Sequence, residues 1–486
     1  MSPILIVGAG PVGLTMAAEL ARYGVPVRII DRAAQATSTS KALVLWARTL
    51  ELMDRMGCTQ SFLDNGLRAH GATLRSGGEL LGGTRFADIP SAYNFALMIP
   101  QRDTERLLAA HLATFNVTLE REVELIAFLQ TADHVEATLR HADGCEETVV
   151  TPWLLGCDGA HSAVRHGSGI SFDGSTQSDD WLLADVRMQG DGLPPQDEVA
   201  IYLDAEGPFV LFPMPGERTR VVSCIGKADT AHPRAEPTLA DVQAMIDRRA
   251  GGGFFATGAA WLTNFRINER KVADYRQGRL FLAGDAAHIH SPAGGQGMNT
   301  GMQDAINLAW KLAMVVNNAA SSTLLDSYST ERSRVGTMVL RNATRLTDAA
   351  SLTHPAAQAA RNLVLRTLLG FHAFRSYMSD MLSEIEIAYA GSPLSVGPHA
   401  GDRLPPEYYA GETPGAGNTP RFVLYAVDTQ KGSDLIARHA DLLENEVRTP
   451  ADPQQLLIVR PDGYVGLRTR ADDWDAAASY LDLIAG

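Results

Sequence analysis

The sequence predicts an α/β chain: a parallel-sheet unit, an antiparallel sheet inserted into it, and a smaller C-terminal α/β unit. Three observations predict it. A short apolar run, Ile4, Leu5, Ile6 and Val7, leads into G-x-G-x-x-G at Gly8, Gly10 and Gly13. Glycine-rich turns following apolar runs return far downstream, in LLGCDGAHSAVR (154–165) and LFLAGDAAHIHSPAGGQGMN (280–299). Between those two segments, residues 179 to about 265 have the texture of antiparallel strands.

The first unit can be justified residue by residue. A continuous apolar run suits a strand buried on both faces of a parallel sheet. Gly8 permits the tight turn, Gly10 lets backbone approach a pyrophosphate, and Gly13 lets the next helix pack closely on the strand. That helix, Val12 to Tyr23, places Leu14, Ala17, Ala18 and Ala21 on one face and stops at Gly24, with Pro11 and Val12 joining the glycines as cofactor-binding candidates. Its N-terminus offers free N–H groups and a positive dipole end to phosphates. A second apolar run, Val27 to Ile30, ends in Asp31 with Arg32 beside it. Asp31 lies 18 residues beyond Gly13, near the spacing of about 20 of a ribose-binding carboxylate. The unit reads as a Rossmann-type nucleotide site.

Composition narrows the class. A chain of 486 residues predicts two to four domains. Acidic residues outnumber basic ones, 56 to 42, for a net charge of −14, which argues against nucleic-acid binding. Cys58, Cys145, Cys157 and Cys224 form no C-x-x-C pair, so neither a redox dithiol nor a zinc knuckle is expected, and no metal site is assigned. The first basic side chain is Arg22, which gives no secretory signal. No apolar stretch reaches the roughly 18 residues that span a bilayer, and a cytoplasmic protein is expected.

Further along, 43–57 and 101–115 read as helices, 67–100 as short antiparallel strands, and 123–159 as three strands with turns. Thr238 is placed to cap a helix starting at Leu239. Residues 301–318 and 324–390 are helical, 391–405 reads as a Gly/Pro linker, and the remainder has fresh α/β character. The expected domains are 1–178 and 266–395 as two parts of the nucleotide-binding domain, 179–265 as the antiparallel-sheet domain, and 400–486 at the C-terminus.

The order G-x-G-x-x-G, D-G, G-D-A-A-H over residues 1 to 395 resembles the class A flavoprotein aromatic hydroxylases, the family of p-hydroxybenzoate and phenol hydroxylases. The resemblance implies a Rossmann-like FAD-binding domain with an inserted antiparallel-sheet substrate domain and a C-terminal thioredoxin-like domain. It implies FAD as cofactor, NADPH or NADH as a transient co-substrate, and dioxygen. The reaction implied is hydroxylation of a phenolic or polyketide-like aromatic through a flavin C4a-hydroperoxide. Asp158 and Gly159 fall in the D-G motif associated with both nucleotides. Gly284 and Asp285 fall in G-D, with the carboxylate toward the ribityl chain. Gln101 matches a glutamine near the ribityl chain. Lys41 stands where the family usually carries an arginine near the pyrophosphate, keeping the charge but not the fork geometry. Pro292 and Gly294, with Gly295, Gly297, Met298 and Asn299, would line the isoalloxazine edge, where backbone N–H groups meet negative charge on the reduced ring. The C-terminal segment lacks the cysteine pair, so docking or dimer contact is expected of it rather than redox work.

His288 and His290 follow Asp285 and invite a general-base role, but packing is the expected one. In the inserted sheet, Tyr202, Phe209, Leu211, Phe212, Pro213 and Met214 are the candidate substrate contacts, with simple packing between layers as the alternative. PFVLFPMPG contains no arginine. A benzoate carboxylate would call for a bidentate one, so a larger, more hydrophobic phenol or polycyclic aromatic is expected. A flavin halogenase would need W-x-W, which the chain lacks. A flavin reductase without oxygen chemistry and a non-catalytic flavin-binding protein remain open alternatives. The protein is expected to act on a small aromatic, as a monomer or homodimer, without nucleic acid or membrane.

Overall fold

The computed structural model describes residues 2–486 except Ser38, Ser40, Lys41, Thr230, Ala231, Pro233, Ala410 and Gly411. A six-stranded sheet carries the first unit: β1 (Ile4–Val7), β2 (Val27–Asp31), β8 (Leu119–Arg121), β12 (Leu154–Gly156), β18 (Arg276–Gln277) and β19 (Leu280–Leu282). The order is β18-β19-β12-β1-β2-β8, parallel except at the β18 edge. The runs read as doubly buried strands are so: Ile4, Leu5, Ile6, Leu154 and Leu282 are each at most 1% exposed. Helix α1 (Pro11–Arg22) packs beside α7 (Gly297–Val316) on one side of this sheet. The 43–57 segment splits, because Val44–Leu45 pairs with Met98 and Leu97 as a strand (β3 with β7, Ala96–Met98). The helix α2 runs only over Ala47–Met56. Strand β4 (Leu67–Ala69) completes that small sheet. Helix α4 (Gln101–Ala113) lies within the expected 101–115, and a short helix α3 (Thr59–Asn65) that was not expected follows α2. Strands β9 (Glu124–Gln130), β10 (Val135–Arg140) and β11 (Glu146–Thr151) form a three-stranded antiparallel sheet, and α5 (Ala163–Ser168) follows β12.

The inserted sheet is larger than 179–265. It has eight strands in the order β20-β17-β13-β16-β15-β14-β5-β6. Two of them, β5 (Gly71–Ser76) and β6 (Glu79–Arg85), come from the first hundred residues. The long strands β13 (Asp173–Gln189) and β17 (Phe255–Lys271) reach beyond both expected boundaries, and β20 (His288–Ile289) ties the sheet to the G-D segment. The remaining strands are β14 (Glu198–Asp204), β15 (Gly207–Met214) and β16 (Arg218–Lys227). One face packs on α6 (Leu239–Met245), whose start is a capping box between Thr238 and Asp241. The other face looks toward α8 (Asp326–Ala350), α9 (Pro355–Leu368) and α10 (His372–Leu382).

The C-terminal unit has four strands in the order β22-β21-β23-β24: β21 (Phe422–Tyr425), β22 (Leu443–Arg448), β23 (Gln455–Val459) and β24 (Val465–Arg470). Helix α11 (Thr429–Arg438) links the parallel pair and α12 (Trp474–Ala485) ends the chain, the arrangement of a thioredoxin-like unit. The segment read as a linker is packed structure instead. Val396 bridges to Leu467, Arg403 to Tyr464, and Leu404 is buried beneath the sheet.

Candidate active site

Strands β19, β12, β1 and β2 are neighbours, and each carries one of the sequence motifs at its carboxyl end. Gly284–Asp285, Asp158–Gly159, Gly8–Gly13 and Asp31 therefore meet along one crevice, where open α/β sheets bind ligands. Local packing confirms how close they are. A Cβ added to Gly8 would lie 2.8 Å from Asp158 Cα, and one added to Gly284 would lie 2.7 Å from Val12 Cγ2.

The crevice fits a dinucleotide. A Cβ on Gly10 would meet nothing within 4 Å, so packing does not demand glycine there; the space stands open in front of α1. Helix α1 begins at Pro11 with no side-chain cap and no acid in its first turn, leaving its positive end to a phosphate. Asp158 turns one oxygen onto the Ala163 and Val164 amides, 2.6 and 3.2 Å away, starting α5. Its other oxygen is buried without a hydrogen-bond partner among the described residues, and burial raises the carboxyl pKa. Gly159 beside it has φ +77° and open space where a side chain would be. Asp31 has a role the sequence did not reveal: its carboxylate accepts from the Ala9 amide at 2.7 Å and the Ala33 amide at 2.8 Å, bracing the glycine turn. Arg32 is exposed next to it, and Asp285 is exposed on the turn Gly284–Ala286. Gln101 starts α4 and donates to Glu105 at 2.9 Å. Lys41 lies outside the described residues.

The loop 291–297 lies at the amino end of α7. Pro292 is exposed, and Gly294 and Gly295 have φ +85° and +66°. Trp46, just before α2, holds this loop by donating its indole N–H to Gly294 O at 2.9 Å. Asn299 closes the loop expected to line the cofactor, and its side-chain amide is buried and bonded to the chain itself. It accepts from the Trp46 amide at 2.8 Å and donates to Val44 O at 2.8 Å and Gly295 O at 3.0 Å. Gly297 and Met298 open α7.

The histidines are supports. His288 is buried and pairs with Asp304 at 2.8 Å. The same carboxylate accepts from the Gly284 amide at 3.0 Å and from Arg332 Nε at 2.6 Å. Arg332 and His288 hold Asp304 below the usual carboxylate range despite its burial. His290 contacts Ser291 O through Nδ1 at 2.8 Å, and burial lowers its pKa to about 4, keeping the ring neutral.

Strand alternation divides the candidate substrate contacts. Phe212 and Met214 pack toward Val44 and Trp46, on the side of the glycine loop. Tyr202, Phe209 and Leu211 point the other way, into a cluster with Val242 and Met245 of α6. Pro213 lies with Leu193 and Pro194 on that same far side. The four are layer packing, and period-two geometry is the reason. Val210 and Ile201, absent from the expected set, lie on the loop side with Phe212 and are partly open. Arg220, opposite Phe212 on β16, supplies the arginine that PFVLFPMPG lacks. It is bound bidentately to Asp185, at 2.7 and 2.8 Å. A separate cavity of about 890 Å³ opens at the far end of the sheet among Glu206, Cys224, Arg234, Arg248 and Ser351. It does not touch the glycine turns.

A parallel-sheet crevice with glycine turns at its strand ends, beside a second sheet with an apolar face, defines a nucleotide-binding protein. Residues 1–343 match the family described as FAD binding domain. The chain is 38% identical over 402 residues to 6-methylpretetramide 4-monooxygenase of Streptomyces rimosus, covering 81% of this chain and 71% of that protein. It is 35% identical over 473 residues to pentachlorophenol 4-monooxygenase of Sphingobium chlorophenolicum, covering 94% and 84%. Among solved structures, the OxyS anhydrotetracycline hydroxylase of Streptomyces rimosus superposes with a TM-score of 0.81 at 30% identity, covering 100% of this chain and 99% of that one. The chain belongs to the FAD binding domain family and is an FAD-dependent aromatic monooxygenase.

Proposed function

We propose that this enzyme hydroxylates an uncharged, planar polycyclic phenol laid against the inserted sheet. The observation that carries the reading is the loop-facing side of that sheet. Ile201, Val210 and Phe212 are partly open there and apolar, and Arg220 beside them is already paired with Asp185. A paired guanidinium gives a substrate carboxylate little to bind, while a wide apolar surface suits several fused rings. The names of two similar proteins, acting on 6-methylpretetramide and anhydrotetracycline, support that choice.

When bound, FAD supplies the redox chemistry: electrons from NAD(P)H reach dioxygen, one oxygen atom goes to the aromatic ring and the other leaves as water. The chain's own part is binding, placement and exclusion of water. Gly10 and the uncapped start of α1 take the pyrophosphate. Asp158 offers its free oxygen and Asp285 its exposed carboxylate to the sugar and ribityl hydroxyls. The start of α7, at Gly297 and Met298, favours negative charge on the reduced ring. Trp46 and Asn299 fix Gly294 and Gly295 so that this edge is preorganised. Pro292 stands exposed on the loop, and Ile201, Val210, Phe212 and Met214 keep the reacting volume dry.

The test follows oxygen uptake by the FAD-loaded protein with NADH or NADPH. A hydroxylated anthraquinone or naphthol should stimulate uptake more than p-hydroxybenzoate and give a product heavier by one oxygen. Preference for the single-ring carboxylate would overturn the reading.

A further inference from the structure

The segment Met381–Glu384, at the end of α10, is tied to the flavin loop at several points. Gln296 Nε2 donates to Met381 O at 2.8 Å, and Leu382 lies 3.2 Å from where a Cβ on Gly294 would be. The Arg48 amide donates to Ser383 O at 3.2 Å. Glu384 itself is 1% exposed and sits at φ +60°, a backbone conformation that a non-glycine residue keeps only when its surroundings hold it there. Thr300 Oγ is 2.6 Å from one of its carboxyl oxygens, and Gln303 Nε2 donates to the other at 2.5 Å.

Thr300 Oγ also lies 3.1 Å from Gln296 O. A hydroxyl carries one proton, so it cannot donate to both Gln296 O and an ionised Glu384. Both contacts are satisfied together when the carboxyl holds the proton. Glu384 then donates to Thr300 Oγ, and Thr300 donates to the carbonyl of Gln296, the residue that precedes Gly297 at the start of α7.

We infer that Glu384 is a positioning residue for the flavin: through Thr300 it holds the Gln296–Gly297 turn, and it does so as the neutral acid. The charges facing it are Arg332 from α8, which favours ionisation, and Asp304 from α7, which opposes it. Arg48 of α2 directs its own side chain to Glu51, and Asp380 and Glu386 flank Glu384 on its own segment. Burial outweighs these and lifts the carboxyl to about 8. Ionisation removes the proton shared with Thr300. It also places a negative charge beneath the helix end that is meant to receive the reduced ring's own charge.

The test compares wild type, Glu384→Gln and Glu384→Ala as apoproteins titrated with FAD from pH 6.5 to 9.5, with melting temperatures read alongside. Gln reproduces the neutral acid, donating to Thr300 and accepting from Gln303. Wild-type affinity should fall at least tenfold through about pH 8. Glu384→Gln should match wild type at pH 6.5 and stay flat, and Glu384→Ala should bind weakly at every pH. The bound flavin's reduction potential should drop in wild type, relative to Glu384→Gln, above that pH. A raised pKa stabilises the folded protein below the unfolded value of 4.5 and loses that contribution as pH rises to about 8. Melting temperature in wild type should therefore decline relative to Glu384→Gln from pH 6.5 to about 8. A wild-type midpoint that persists in Glu384→Gln, or wild-type FAD affinity in Glu384→Ala, overturns the inference. No aromatic substrate enters these measurements, so they stand or fall apart from the polycyclic-phenol reading.

Discussion

Three glycines of one motif have different physical reasons. At Gly13 a Cβ would sit 1.9 Å from Gly8 O, and at Gly8 it would sit 2.4 Å from Cys157 O, so both are fixed by backbone packing. At Gly10 the space is empty, so packing does not require glycine and the position is open to a ligand's approach. Gly10→Asp separates these roles. An acid at the N-cap stabilises α1 by about 0.5–1 kcal/mol and repels a pyrophosphate. Apoprotein melting should hold or rise while FAD affinity, read by flavin fluorescence, falls at least 100-fold. Undiminished binding would remove Gly10 from the phosphate site. Asp304 belongs to the other kind of residue, holding His288, Gly284 and Arg332 at once. Asp304→Asn strands a buried guanidinium and should cost about 3–5 kcal/mol in denaturant unfolding. Gly8, Gly10 and Gly13 were legible from their spacing after an apolar run, and Asp158 from the resemblance of its D-G segment. Asp31's bonds to Ala9 and Ala33 and Asn299's commitment to Val44 were not, since they depend on which atoms folding brings close.

At the scale of the element, β15 shows what one sequence run leaves open. PFVLFPMPG identifies an apolar strand, but a nearly uninterrupted apolar run has no polar face to orient it. Only its partners decide that Phe209 and Leu211 face α6 while Val210 and Phe212 face the flavin loop. Phe209→Ala should cost about 3–5 kcal/mol of stability and leave KM for the aromatic near wild type. Val210→Phe should leave stability within about 0.5 kcal/mol and raise that KM several-fold. Equal effects of the two on KM would mean that the face assignment does not govern substrate binding. The α9–α10 pair was read as helical, but its loose seating was not foreseen. Helix α9 buries only Arg361, and Leu363, Val364 and Phe371 are exposed.

Across the whole molecule, the C-terminal unit is joined to the flavin domain through buried charge rather than a flexible tether. Arg460 pairs with Glu331 at 2.6 and 3.0 Å and with Asp462 at 2.6 Å. Lys311 of α7 reaches Glu331 at 2.7 Å, and Arg48 of α2 donates to Asp462 O at 2.7 Å. Burial lowers Lys311 to about 8 even beside Glu331, while Arg460 and Lys311 hold Glu331 far below the usual carboxylate range. Glu331→Gln leaves two buried cations short of a counter-charge. It should cost about 3–5 kcal/mol and split one unfolding transition into two, seen by calorimetry together with flavin release. A single unchanged transition would show that the units are not energetically coupled there.

The sequence by itself determined the strand-and-glycine-turn motifs of the crevice and the strand texture of residues 179 to about 265, because apolar runs and glycine turns are local properties. The tertiary structure alone decided which face of β15 meets the flavin loop and that Arg220 is neutralised by Asp185. It also decided that Glu384 reaches a helix 84 residues away in the chain. Side-chain partners across such separations follow from register and packing, which no local pattern of residue types encodes.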